Sequence, residues 1–357
     1  MPHTVNEILQ DRAIRHAVFL ERLKTHEANQ VLNFLDTDVL PDLQRRIDNV
    51  LAATPNLTRS KGIKSTKRLQ AMMAGVERVL KESTDQIYNK SRDEFFQVAE
   101  MEAKFQAKML DDAFPVDVGI TLPATQILHS AVVSNPFQGN TLRGWWNNVN
   151  IVTQAQIQSQ LNIGLTFGES NEQLATRLFG IQGGSVFNKL RRNAVTITRT
   201  AVTAATTQAR EATYKANGSV IKGVRYLATL DARTTDICAS LDGRVFKIGQ
   251  GPRPPLHMRC RSTTVPITKS WQELGFNFKD LNEGQRASMN GLVPERLNYR
   301  QWLAGQSKKV QNQVLGKSRA AIFRADPRNP DQAFDRFVDD NFKSVSLADI
   351  KKAEGLE

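Results

Sequence analysis

No proline interrupts the chain between Pro55 and Pro115, and within that run Leu69, Met72, Met73, Val76, Val79 and Leu80 recur at three- and four-residue steps. A long unbroken stretch with one apolar stripe predicts a helix with one buried face. Phe95, Phe96, Val98, Met101, Phe105 and Met109 carry the rhythm on past Tyr88, and Ile14, Val18, Phe19, Leu23, Val31, Leu32 and Leu35 show it earlier. Residues 1–110 are therefore expected to be a helical amino-terminal region. The Met and Phe stripe reads as the core of a hairpin or bundle rather than a cofactor pocket.

Between Asp111 and Asn148 the character changes. Pro115, Pro123, Pro136, Gly119, Gly139 and Gly144 punctuate the segment, while Val116, Val118, Ile120 and Leu122 alternate with polar residues or glycine. This predicts an extended connector over 111–141 that ends in a turn at Asn135–Gly139. Helical spacing resumes near Leu142, stops at Gly168, restarts after Ser170, and returns from about Phe187 to Lys215 before the Asn217-Gly218 cap.

After that cap the apolar period falls from 3.6 to 2. Val220 to Leu230, Val245 to Ile248 and Thr263 to Ile267 read as strands of a small β unit. From 271 to 357 the pattern is that of a helical tail, with short helices expected around Gln285 to Met289 and Tyr299 to Leu315, and mixed acidic and aromatic residues from Asp331 to Phe342. The fold class is α+β, mainly helical, with the basic helical and β domain over 142–270.

Charge is placed unevenly. Residues 1–150 hold 18 Lys or Arg against 18 Asp or Glu, residues 151–300 hold 20 against 10, and residues 301–357 hold 10 against 8. The excess in the middle suits an anionic partner such as nucleic acid, and equally a solvated basic surface or one that docks on an acidic protein. Lys189, Arg191, Arg192, Arg199, Arg210 and Lys215 lie on one expected helix and are the candidate phosphate contacts; no aromatic residues interleave them as a base-stacking platform requires. No run of eighteen apolar residues predicts a membrane span, and the amino terminus lacks the pattern of a secretory signal, so folding in a cytoplasm is expected.

The densest cluster of unusual residues runs from Tyr226 to Arg261. It holds Asp231-Ala232-Arg233-Thr234, Cys238, Leu241-Asp242-Gly243 and Pro254-Pro255-Leu256-His257-Met258-Arg259-Cys260-Arg261. A strand delivers Asp231 to a turn, Asp242-Gly243 makes a second turn, and the two prolines stiffen a loop that presents His257 and Cys260. In this order the elements resemble those of the bacteriophage Mu F-like minor head proteins, also called phage head morphogenesis proteins. Arg199-Thr200 upstream is similar to the family's R-T helix, and the likeness extends to Pro136-Phe137-Gln138-Gly139 with Trp145, to Ile163-Gly164-Leu165, and to a carboxyl-terminal box containing Trp302 and Leu315-Gly316-Lys317 with Arg319. The chain departs from the family at Thr235 and Ser262, where relatives often have cysteines, at Ala201 and at Met258.

The resemblance implies a low-copy component of the virion head, assembled in the host cytoplasm, with the portal protein and other head proteins as partners and contact with packaged double-stranded DNA. The residues leave three chemical readings open. Cys238, His257 and Cys260, with Asp231 or Asp236 as a fourth donor, permit a zinc site, whereas a four-cysteine site is excluded. Cys238 with His257 is also the one nucleophile and base pairing on offer, which would make the chain a virion-carried enzyme or injected effector. The plain alternative is that both cysteines are small buried side chains and His257 bonds to the backbone. No cofactor and no catalysis is the expectation, with a host-encoded DNA-binding protein as a further class.

Overall fold

The computed structural model describes residues 5–52, 67–167, 169–180, 184–275, 285–294, 296–326, 334–339 and 343–353. The expected helix stop at Gly168 and half of the Asp331–Phe342 stretch lie outside them. Helix α1 (Val5–Phe34) passes through a π turn at Leu35–Val39 into α2 (Leu40–Ala52), and α3 (Lys67–Asp111) follows. Next come α4 (Thr125–Ser134), α5 (Leu142–Thr166), α6 (Asn171–Phe179) and α7 (Val186–Ala216). The β unit comprises β1 (Ile221–Leu227), α8 (Asp236–Leu241), β2 (Val245–Phe246) and β3 (Thr263–Thr268). A hairpin of β4 (Gln285–Ser288) and β5 (Gly291–Pro294) precedes α9 (Tyr299–Ala304), α10 (Lys308–Ala325) and α11 (Leu347–Ala353). The molecule is thus mainly helical α+β, as the periods predict.

The chain divides into two compact units, each discontinuous in sequence. One gathers Met1–Glu21, Glu100–Leu128 and Thr206–Glu357, the other Arg22–Ala99 and His129–Ala205. The linear segments ending at 110, 141 and 270 follow changes of backbone pattern, whereas the unit boundaries fall inside helices α1, α3, α4 and α7.

The first unit is built on an antiparallel sheet in the order β2-β1-β3. Val224 pairs with Phe246 on one side, and Tyr226 and Leu227 pair with Thr264 and Thr263 on the other. Both faces of β1 are covered, so the strand lacks the alternation of a half-exposed one. Ile221, Val224 and Leu227 pack with Leu9, Ala13, Met109, Leu110 and Tyr214, while Tyr226 and Ala228 pack with Cys238, Leu241 and Cys260. A third cluster, around Tyr299, Trp302, Leu303, Phe323, Phe334 and Phe337, joins the carboxyl-terminal helices to Leu230 and Ala239. Helix α10 breaks at Gly316, whose φ of 76° is open to glycine and strained for other residues.

The second unit is all helical. Helix α6 starts on a reciprocal cap: the Gln173 amide donates to Ser170 Oγ at 3.3 Å, and the Ser170 amide donates to Gln173 Oε1 at 2.8 Å. Before α5, Phe137 and Asn140 exchange backbone bonds of 2.9 and 3.2 Å around Gln138 and Gly139, both at positive φ, which is the turn expected there. Trp146, Ile157 and Leu161 of α5 and Leu174 and Leu178 of α6 are fully buried.

Two readings are corrected. The connector contains a helix, α4, and before it Val116, Val118 and Ile120 pack against Phe114, Val220 and Trp271. Gln285–Ser288 is a strand, paired with Gly291–Pro294, where a short helix was expected. Asn290-Gly291 is the reason: Gly291 at φ 111° closes a two-residue hairpin loop that a helix cannot contain.

Candidate metal centre

The site begins where β1 runs out. Beyond Leu227 the Asp231 carboxylate accepts the Arg233 amide at 2.9 Å and folds the Asp-x-Arg-Thr segment into a tight turn. Arg261 clamps the same carboxylate with both terminal nitrogens, one at 2.8 Å. Burial alone would raise the Asp231 pKa, but Arg261 and the Arg233 amide hold it below the usual range. The Thr234 hydroxyl donates to the Thr229 carbonyl, and Tyr299 donates its phenol to the Asp231 carbonyl at 2.9 Å.

Helix α8 then carries Cys238 into the core and stops at Asp242. That carboxylate is fully buried and takes four partners: the amides of Ala228 and Tyr299, each at 2.7 Å, and two nitrogens of Arg286 at 2.9 and 3.0 Å. Gly243 reverses the chain at φ 82° and returns its amide to the Tyr226 carbonyl at 2.9 Å. Asp236, which burial raises, is met by Arg319 of the carboxyl-terminal box at 2.7 Å.

The loop through Pro254 and Pro255, joined by a cis bond, brings His257 and Cys260 to Cys238. The two sulfurs are 3.7 Å apart and His257 Nε2 lies 3.3 Å from Cys238 Sγ. All three donor atoms fall within 4.8 Å of one another. His257 Nδ1 donates to the Met258 carbonyl at 2.9 Å, which orients the ring with Nε2 toward the sulfurs. Tyr226, fully buried, donates its hydroxyl to Cys238 Sγ at 3.3 Å. The contact between the two sulfurs lowers Cys260 and, with burial, raises Cys238, and the bond to Cys260 raises His257.

Of the four donors proposed from sequence, the structure brings together Cys238, His257 and Cys260. Asp231 is held outside this group by Arg261, and Asp236 by Arg319. Both cysteines are only 1% exposed. A cavity of about 160 Å³ in the same unit is lined by Ile14, Leu227, Leu230, Arg261, Thr263 and Arg286, and neither sulfur borders it. Thiols with a neutral imidazole can bind a metal or act as a nucleophile and base. The second role needs a substrate at a sulfur, and the burial opposes that.

The other family-motif residues serve packing. Thr200 is buried and donates to the Thr196 carbonyl at 2.7 Å, Pro255 turns the loop, and Trp302 fills the carboxyl-terminal cluster. The candidate phosphate contacts divide. In the second unit Arg191 pairs with Asp36 at 2.6 Å and Arg199 donates to Thr25 at 2.8 Å, while Lys189 is half-buried and Arg192 exposed. In the first unit Lys215 is exposed, but Arg210 is buried. Arg210 is thereby removed from any DNA surface, because α7 turns it inward to donate to Glu102 at 2.6 Å.

Sequence reasoning missed the network around that pair. Glu102, fully buried, also meets His16 Nε2 at 2.6 Å and the Gln106 amide at 2.7 Å, and Tyr214 donates to Gln106 at 2.7 Å. His16 stacks on Phe105 with ring centres 3.6 Å apart. The one local signal was an acid inside the apolar stripe of Val98, Met101, Phe105 and Met109.

A family model described as phage Mu protein F like protein matches residues 155–265, from within α5 to within β3. No curated protein and no solved structure gives a significant match. No helix among the described residues is long and apolar enough to cross a membrane. The spaced Asp, Cys, Asp-Gly, His and Cys-Arg residues around the sulfur pair all fall within the match, and over residues 155–265 the chain is similar to the phage Mu F-like proteins.

Proposed function

We propose that the chain is a minor structural component of a tailed-phage head, docked on the portal during assembly and retained in the virion without catalysing a reaction. The observation that carries this reading is the use of the motif residues. Within and beyond the Mu F-like match, the polar positions Asp231, Asp236, Asp242, Arg261 and Arg319 are spent on one another, on Arg286 and on backbone groups. Catalytic residues keep a free donor, acceptor or nucleophile toward a cavity; these are consumed in fixing loops, which is the work of an assembly protein.

Head proteins, the portal first, are the partners in this reading. Contact with packaged DNA is left out of it, because Arg210 is buried and both Arg191 and Arg199 already have protein partners. A virion-carried enzyme at Cys238 and His257 is set aside because of the 1% exposure of Cys238.

Co-expression of the full chain with the portal protein of the same phage tests the proposal. Affinity capture of assembled portal rings is expected to retain the chain after washing at ~0.5 M salt, where contacts made by surface charge alone are screened within about 3–5 Å. A chain that stays in the unbound fraction, with portal rings intact, would reject portal docking.

A further inference from the structure

We propose that Cys238, His257 and Cys260 bind one zinc ion, which fastens α8, the 254–260 loop and the start of β3 into a single element. The argument is geometric. Zinc takes sulfur at about 2.3 Å and imidazole nitrogen at about 2.0 Å, so in a tetrahedron two sulfurs stand about 3.8 Å apart and sulfur and nitrogen about 3.5 Å. The distances here are 3.7 Å between the sulfurs and 3.3 Å from Cys238 Sγ to His257 Nε2, with the third pair inside 4.8 Å. A disulfide requires the sulfurs at about 2.05 Å. The donors therefore already stand near a tetrahedral spacing and well outside a covalent one.

The surroundings are those of metal ligands. Coordinating histidines almost always donate their other ring nitrogen to a carbonyl or carboxylate, as His257 does to Met258 at 2.9 Å. Zinc binding makes both sulfurs thiolates, and the Tyr226 hydroxyl 3.3 Å from Cys238 Sγ, together with the Ser262 hydroxyl that also bonds to Cys238, offers donors to that charge. Ala228, Leu241, Ile237, Leu256 and Phe246 form an apolar wall around the two sulfurs. Three protein donors leave one position for an oxygen, from Ser262 or solvent, so binding should be weaker than at a site with four protein ligands. A thiol placed at Ser262, in reach of Cys238, should complete the set.

The test is metal analysis of the full chain purified without chelator from cells grown with added zinc. The expected result is about one zinc per chain, falling below ~0.2 in Cys260→Ser. Cobalt should replace zinc with the visible absorption of a tetrahedral thiolate complex. Because Cys260→Ser is liable to misfold, Ser262→Cys provides a second arm: it is expected to retain zinc at a chelator concentration at least ~10-fold above that which strips the natural chain. A folded natural chain with less than ~0.2 zinc that takes up none on reconstitution overturns the proposal. So does a chain isolated with Cys238 and Cys260 joined as a disulfide, or a Ser262→Cys chain stripped no later than the natural one.

Discussion

Replacing Asp242 by alanine is expected to abolish the cooperative unfolding of the first unit, or to lower its stability by at least ~5 kcal/mol. The carboxylate is fully buried and its two oxygens accept from the Ala228 amide, the Tyr299 amide and both terminal nitrogens of Arg286. Alanine leaves the Arg286 side chain, 4% exposed, as an uncompensated charge in the interior. Breaking such a pair costs about 3–5 kcal/mol, and each orphaned amide adds about 1–3 kcal/mol. A domain has only about 5–15 kcal/mol in total. Asp242→Asn keeps an acceptor for the amides and should lose less. Urea unfolding followed by tryptophan fluorescence measures both; an alanine variant with the natural midpoint would show that the Arg286 contacts add nothing.

A comparable loss is expected from Glu102→Gln, with a distinctive dependence on pH. Burial alone would raise the Glu102 pKa, but Arg210, His16 and the Gln106 amide together hold it at about 2. A carboxylate depressed in the folded chain stabilises it fully above the unfolded value of 4.5, and that stabilisation disappears as pH falls toward 2. The difference of about 2.5 units corresponds to ~3 kcal/mol. Glutamine keeps the shape yet leaves the Arg210 charge without a counterion, so the variant should be destabilised by ~3–5 kcal/mol at pH 7. It should also lack the decline that the natural chain shows between about pH 4.5 and 2. Adding Arg210→Met should recover part of the loss, because two apolar or neutral groups in place of a buried pair leave no charge stranded. Unfolding midpoints across pH decide this: an unchanged acid limb in Glu102→Gln would assign that limb to other carboxylates.

Local patterns carried much of the fold. The proline-free apolar stripe gives α3, Ser170 gives the start of α6, and the change of period after Asn217 gives the sheet. Helix α4 was obscured because its ten residues lie between Pro123 and Pro136, and counting prolines overrode the spacing of Leu128, Ala131 and Val132. The hairpin at Gln285 was misread because four-residue strands are too short for periodicity, although Asn290-Gly291 marked the turn.

In the site, Cys238, His257 and Cys260 were legible as a spaced motif, and their convergence within 4.8 Å follows from the loop that the two prolines shape. Asp231 was not a fourth donor because Arg261, thirty residues away in sequence, claims it. Arg286 on Asp242 and Arg210 on Glu102 lie 44 and 108 residues from their partners. Only the folded topology joins such pairs, so no local pattern could announce them. The same holds for Arg210 as a DNA contact: composition counts a charge, and the face of α7 it occupies decides whether water or Glu102 receives it.

The most direct measurement is the protein composition of purified, DNA-filled phage heads. An assembly protein retained in the virion is expected to appear there by mass spectrometry, with peptides from both the amino-terminal helices and the Mu F-like region, at a small fraction of the abundance of the shell protein. Presence in the infected-cell lysate together with absence from procapsids and finished heads would contradict the account.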